Sequence, residues 1–394
     1  MMLNFDYYAP TKVVFGKDAQ MRCAGLVKEC GGTRVFLLYG GGSAVKSGLI
    51  GTIEQNLREN GLVCETLGGV HPNPYLSFAR HAAEKAAAFG ADFILAVGGG
   101  SVIDTAKAVG LALANPGVDL WDFWTKGRKP AGCTPVGAVL TIPAAGSEMS
   151  NSSVLTDEET GVKRGLGLDV VRPRFAVMNP ELTFTLPVYQ VACGVVDIMM
   201  HTLDRYFNPV AGNELTDEIA EALLRVTIRN GRIAVKDTHD YHAMSELMWA
   251  GSLSHNDLTG LGAPKDFAPH QFGHELSAKF DVAHGASLST MWGPWARYCM
   301  DTNPARFARY GRSVWGISGA SEIKTAQAAI EATVDYFRSL GMPTCFTELG
   351  IGVQDDAVLR ELAERCTFYG KRTIGTFRVL GVEDIYAVYK MANC

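Results

Sequence analysis

Through the first 185 residues, short apolar runs alternate with amphipathic stretches. The runs RVFLLYGGGS (34–43), ADFILAVGGGS (91–101), VGAVLTIPAAGS (136–147) and RFAVMNP (174–180) are rich in branched and aromatic side chains and stop at glycine or proline. Each reads as a buried strand ending in a turn. Between them, SFARHAAEKAAAFG (77–90) and SVIDTAKAVGLALAN (101–115) carry apolar residues at helical spacing. Strand, glycine turn and helix in repetition imply a parallel sheet covered by helices. Ligands on such sheets bind beyond the carboxyl ends of the strands, where every glycine cluster falls. After Pro187 the period becomes helical and strand-like runs grow scarce, with loops such as GLGAPKDFAPH (260–270) between segments. The pattern therefore predicts an α/β domain over residues 1–185 and an all-α domain over residues 186–394.

Composition narrows the function classes. Of 394 residues, 47% are hydrophobic and 20% charged, and the net charge of -5 is spread along the chain. Nothing in that balance recruits nucleic acid or an anionic membrane. The N-terminal stretch lacks a basic region followed by an apolar one, and no apolar run approaches the ~18 residues of a membrane span, so a cytoplasmic protein is expected. Nine scattered cysteines, never spaced CxxC, read as reduced thiols.

Two GGGS turns follow two predicted strands, at Gly40–Ser43 and Gly98–Ser101. Glycine allows tight turns, and it also allows close approach of phosphate oxygens to backbone N–H groups at a helix start. Two such turns at equivalent strand ends favour a phosphate-bearing cofactor. Neither is a standard fingerprint: GGGSAVKSG lacks the third glycine of GxGxxG and has Val45 where a Walker motif needs glycine. Dinucleotide sites selective for NAD place a carboxylate after an early strand, whereas this turn offers Ser43 and Lys46, a surface suited to a 2′-phosphate.

Asp197 and His201 lie four residues apart in the apolar segment GVVDIMMHTLDRYF, on one face of a helix. Burying them is costly unless they pair with each other or bind a metal. His270 and His274 repeat the spacing in HQFGHELSAKFDVAHG, and His284 follows a turn expected at Asp281. One carboxylate and several imidazoles suit Zn²⁺ or Fe²⁺. Ala278 stands where the second histidine of HExxH would be, so this is not a zinc-protease motif. His71, His81, His239, His242 and His255 lack such company and read as surface or local structural groups.

The segments GGGSVIDTAKA (98–108), TIPAAGSEMSNSSVLTDEETGVK (141–163), GVVDIMMHT (194–202) and HQFGHELSAKFDVAHG (270–285) together resemble the iron-containing (group III) alcohol dehydrogenases over nearly the whole chain. The YGGGSAVKSG turn is most similar to the NADPH-dependent aldehyde reductase and butanol dehydrogenase branch. The resemblance implies a dehydroquinate synthase-like fold, with an α/β dinucleotide-binding domain, a helical metal-binding domain and an active site in the cleft between them. It implies Asp197, His201, His270 and His284 as metal ligands and His274 in proton transfer. Gly40, Gly41, Gly42 and Ser43 match the adenosine-ribose end of the cofactor site, and Gly99, Gly100 and Ser101 the pyrophosphate turn. Asn73, Thr141, Lys163 and Leu182 match further cofactor contacts, although Lys163 taken alone reads as a solvated loop lysine. Three positions depart from the family pattern. Ala145 stands where many relatives have threonine, so one hydrogen bond near the cofactor is either missing or supplied by Ser147. Asn179 replaces aspartate, and Asp204 replaces glutamate.

The expected reaction is reversible hydride transfer between a nicotinamide, NADP(H) in preference to NAD(H), and a primary alcohol or aldehyde at an Fe²⁺ or Zn²⁺ centre, in a homodimer. A polyol-phosphate dehydrogenase or dehydroquinate synthase-like lyase on the same fold would need a basic pocket, and LTGLGAPKDFAP and SLSTMWGPWARY are largely apolar. A metal-dependent hydrolase would leave the glycine turns purely structural. Trp292, Trp295, Met149 and Phe267 read equally well as pocket lining or as core.

Overall fold

Six strands pair in parallel in the computed structural model, which describes residues 2–394. They are β1 (Lys12–Phe15), β2 (Arg34–Tyr39), β3 (Val63–Leu67), β4 (Phe93–Gly98), β5 (Val136–Leu140) and, after the antiparallel hairpin of β6 (Ser152–Asp157) and β7 (Val162–Gly167), β8 (Phe175–Met178). The order across the sheet is β1-β8-β5-β4-β2-β3. Helices α1 (Cys23–Glu29), α2 (Ser43–Lys46), α3 (Leu49–Glu59), α4 (Leu76–Phe89), α5 (Gly100–Ala114) and α6 (Trp121–Thr125) intervene. Alternation along the central strands feeds two cores. Val35, Leu37, Phe93, Leu95 and Val97 pack with α1 and α3, while Phe36, Leu38, Ile94 and Ala96 pack with α4 and α5.

The register aligns the carboxyl ends of four strands. Tyr39 pairs with Val97, Gly98 with Leu140, and Leu140 with Met178. The segments that follow, Gly40–Ser43, Gly99–Ser101, Thr141–Ser147 and Asn179–Leu182, therefore gather along one edge. The chain runs outward from β2 to β3, then returns to the other side of β2 as β4. The two glycine turns flank that reversal, the place where open α/β sheets bind ligands.

After Leu186 the chain is helical: α7 (Val188–Tyr206), α8 (Glu214–Ala234), α9 (Tyr241–His255), α10 (Ala268–Phe280), α11 (His284–Cys299), α12 (Pro304–Tyr310), α13 (Glu322–Ser339), α14 (Phe346–Leu349), α15 (Asp356–Cys366) and α16 (Val382–Ala392). None is long and apolar enough to cross a membrane. The chain forms two compact units that do not follow sequence order. Tyr8–Leu186 and Thr238–Asn256 make the sheet unit, so α9 belongs to it, and Pro187–Asp237 and Asp257–Cys394, with residues 2–7, make the helical unit. Met248 of α9 joins the sheet core. Ser252 donates to the buried Glu148 carboxylate at 2.5 Å, and His255 Nδ1 donates to the Ala145 carbonyl at 2.5 Å.

Candidate functional site

Helix α7 is buried continuously from Gly194 to Tyr206. Asp197, His201 and Asp204 fall at i, i+4 and i+7, one stripe of its surface. Helix α10 starts at Ala268, whose N–H donates to the Asp266 carboxylate at 3.0 Å, and ends at Asp281 in a left-handed conformation with φ 50°. That turn reverses the chain, and α11 opens on His284, whose ring lies 5.3 Å from that of His270. Three segments of the helical unit thus bring together residues separated by up to 87 positions.

Three imidazoles converge on one carboxylate oxygen. Asp197 Oδ1 lies 3.4 Å from His201 Nε2, 3.8 Å from His270 Nε2 and 3.8 Å from His284 Nε2. Asp197, His201 and His270 offer ligand atoms all within 4.8 Å of one another. Ligands ~2.1 Å from a common tetrahedral centre stand ~3.4 Å apart, so the spacing suits coordination to one ion better than pairwise hydrogen bonds. The polar atoms themselves point the same way. Asp197 Oδ1 and His270 Nε2 are buried and have no hydrogen-bond partner. An unpaired buried carboxylate oxygen costs several kcal/mol, which a cation between the two atoms would remove. The donor set of one carboxylate and three imidazoles fits a divalent metal.

Asp204 fixes how His270 is presented. Its carboxylate accepts from His270 Nδ1 at 2.5 Å, so Nδ1 carries the proton and Nε2 faces Asp197. Both side chains are buried. Burial pushes the Asp204 carboxyl up, against the pull of His270. Burial opposes protonation of His270, but the Asp204 and Asp197 carboxylates outweigh it and raise the imidazolium to about 9. Sequence reasoning placed Asp204 only as a departure from a family pattern. Its spacing of seven from Asp197 was the signal that it shares the ligand face.

His274 does not join the four donors. It is buried, one turn along α10, with its ring 6.3 Å from that of His270 and 5.6 Å from that of His284. Trp292 and Trp295 are 0% and 1% exposed and belong to the core, whereas Phe267 stays half-buried beside the histidines. Met149 is buried in the sheet unit.

In the sheet unit, Gly40–Ser43, Gly99–Ser101, Thr141 and Leu182 follow the carboxyl ends of β2, β4, β5 and β8. None of Gly40, Gly41, Gly42, Gly98, Gly99 and Gly100 has positive φ, so backbone strain is not why glycine is needed there. At Gly99 the reason is packing, because a Cβ would stand 2.3 Å from Ile142 Cγ2. At Gly41 a Cβ would meet nothing within 4 Å, and at Gly42 only the Lys46 side chain at 3.7 Å. Those two glycines leave open surface where a ligand can approach the protein backbone. Lys163 is not the solvated loop lysine its sequence context suggests: it is 8% exposed on β7 and donates to Asn73 Oδ1 at 2.8 Å. Thr141 follows β5, its N–H bonded to the Gly98 carbonyl at 3.1 Å, and Leu182 packs against the core beneath α1 and α3. Ser147 does not supply the hydroxyl missing at Ala145. Its Oγ donates to Asp104 at 2.6 Å and accepts from the buried Lys107 at 2.9 Å.

Known proteins match this chain along its full length. The family model described as iron-containing alcohol dehydrogenase matches residues 10–180, and the C-terminal model of the same family matches residues 191–393. The chain is 39% identical to NADH-dependent butanol dehydrogenase A of Clostridium acetobutylicum over 391 residues, 99% of each protein. It is 36% identical to an NADPH-dependent aldehyde reductase of Escherichia coli over 396 residues, 100% of each. Among solved structures, NADH-dependent butanol dehydrogenase A from Thermotoga maritima superposes with a TM-score of 0.95 at 32% identity, covering 100% of this chain and 99% of that one.

Proposed function

Because the chain belongs to the iron-containing alcohol dehydrogenase family, we propose that Asp197, His201, His270 and His284 hold a divalent metal at which an aldehyde is reduced to a primary alcohol, reversibly, by a nicotinamide dinucleotide. The observation that carries the site assignment is the buried pair of Asp197 Oδ1 and His270 Nε2, 3.8 Å apart and each lacking a hydrogen bond. When bound, a divalent ion supplies Lewis acidity toward a carbonyl or alcohol oxygen, and both Fe²⁺ and Zn²⁺ accept this donor set. Asp197 brings the one negative charge, and the neutral imidazoles bring none, so the set leaves a divalent ion with net positive charge. Asp204 keeps His270 in the tautomer that directs Nε2 inward. Reduction consumes one proton along with the hydride, and His274, buried beside His284, is the group that delivers it from its ring N–H.

The dinucleotide takes the carboxyl edge of the sheet. Gly99, Gly100 and Ser101 open α5, a helix of 15 residues whose N-terminus favours the pyrophosphate. Gly40, Gly41, Gly42 and Ser43 take the adenosine ribose, with Asn73, Thr141, Lys163 and Leu182 along the remainder. NADPH is the preferred cofactor, because residues 40–48 present Ser43 and Lys46 and no carboxylate to meet a 2′-phosphate. Relatives of both preferences stand at 39% and 36% identity, so this turn is what supports the choice.

Metal analysis of the purified protein, with NADPH and NADH oxidation measured across straight-chain aldehydes, tests the proposal. About one equivalent of metal and a kcat/KM for NADPH at least ~10-fold above that for NADH are expected. Comparable values for the two cofactors would overturn the preference. Full activity in a folded, metal-free His270→Ala variant would overturn the metal site.

A further inference from the structure

Phe267 precedes α10 with φ 55°, a left-handed conformation that bulky side chains rarely adopt. Three contacts hold it there. Its ring meets that of His270 at 5.2 Å and 62°, and that of His201 at 6.2 Å and 64°, both edge-on. The Arg205 guanidinium lies over it at 4.9 Å from the ring centre. Arg205 is itself buried, donates to the His201 carbonyl at 2.6 Å and faces Asp257 at 3.9 Å. The phenyl ring is therefore locked between a buried cation and two of the four converging donors, yet it remains half-buried. His284, with 26% of its side chain exposed, marks the open side of the same cluster. Glycine would adopt this backbone conformation freely, so a strained aromatic held by a buried arginine points to use of the ring itself.

We propose that Phe267 is the specificity-determining wall of this site, the surface along which the carbon chain of the aldehyde lies, and that it excludes substrates branched next to the carbonyl carbon. The proposal rests on the aldehyde-reducing function of the preceding section. The ring flanks His201 and His270 directly, so it meets the first carbons of a bound chain and not its far end. Cutting the ring back opens space for a branching methyl at that depth.

The test compares butanal with 2-methylpropanal in the metal-loaded, full-length enzyme. Wild type is expected to favour butanal at least ~10-fold in kcat/KM, the scale on which an apolar pocket senses one methyl group. In Phe267→Ala and Phe267→Gly the preference falls to within ~2-fold, and Phe267→Trp retains it. Phe267→Gly also relieves the left-handed backbone, so a role limited to packing would shift its Tm and leave the substrate ratio unchanged. A second readout needs no turnover: the visible absorption of the Co²⁺-loaded protein is titrated with butyramide and 2-methylpropanamide, aldehyde-shaped amides that are not reduced. Their Kd ratio should collapse in Phe267→Ala as the kinetic ratio does. Unchanged ratios in both readouts overturn the wall. Wild-type protein that binds neither amide and reduces neither aldehyde overturns the reading of the site, and this proposal with it.

Discussion

One carboxylate decides which nitrogen His270 offers to the cluster. Asp204→Asn keeps the size of the side chain but removes the charge that holds the Nδ1 proton at 2.5 Å. Metal affinity is expected to fall ~10- to 100-fold, the usual consequence of losing such a partner. Competition against a chelator measures it, and undiminished affinity would refute the orienting role. The glycine turns give a sharper contrast. Gly99→Ala drives a methyl to 2.3 Å from Ile142 and should cost ~1–3 kcal/mol by overpacking. Gly41→Ala meets nothing within 4 Å and should leave stability within ~0.5 kcal/mol while weakening dinucleotide binding. Denaturant titration paired with fluorescence titration by NADPH separates the two, and loss of stability without loss of binding in Gly41→Ala would make that turn structural. At this scale helical spacing in the sequence singled out Asp197 with His201 and His270 with His274, while the set of Asp197, His201, His270 and His284 as ligands came from the family resemblance. Nothing in the sequence singled out Arg205, and Phe267 read equally well as pocket lining or as core, because their parts depend on a left-handed residue and on a cation–ring contact 62 positions apart that no local pattern encodes.

Among the elements, α5 and the segment after β5 are tied by one buried lysine. Lys107 Nζ donates to the carbonyls of Ser147, Ser150 and Ser152 at 2.7, 3.1 and 2.6 Å. Burial, opposed by Asp104 and Glu148, pulls its pKa from the ordinary 10.5 down to about 8. Between those two values the unfolded chain binds the proton more tightly than the native state does. The contribution of this group to stability must therefore rise as pH rises through that window, approaching about 1.4 kcal/mol per pH unit. Unfolding free energies of wild type and Lys107→Met, measured from pH 7.5 to 9.5, should shift relative to each other in favour of wild type, and a constant difference would show that the lysine is not held off its normal titration. The strands β2, β4, β5 and β8 were legible because burial on both faces forces continuous apolar runs. The edge strands β1 and β3 and the hairpin of β6 and β7 were not. KVVF is half-exposed, VCETL has no fully buried position, and SSVLTD with VKRGLG is largely polar, so hydrogen bonding from neighbours and not hydrophobic pattern makes them strands.

At the scale of the whole molecule, all four proposed metal donors belong to the helical unit. Metal at ~1,000 times its Kd would stabilise that unit by ~4 kcal/mol. Stripping it should speed hydrogen exchange in α7, α10 and the start of α11 and leave β2, β4 and β5 protected. Equal deprotection of both would place the metal's influence elsewhere. The path of the chain carries a different consequence. Because α9 is sewn into the sheet unit from within the helical half of the sequence, a cut after Leu186 does not yield two self-sufficient pieces. A fragment of residues 8–186 keeps every strand yet loses the hydroxyl bonded to Glu148, the imidazole bonded to the Ala145 carbonyl and the methionine that closes one core. Such a fragment should be loose by itself and should tighten when a synthetic peptide of residues 238–256 is added in trans. The gene encodes the sheet unit in two instalments, and any transplant, truncation or split-protein design has to carry both.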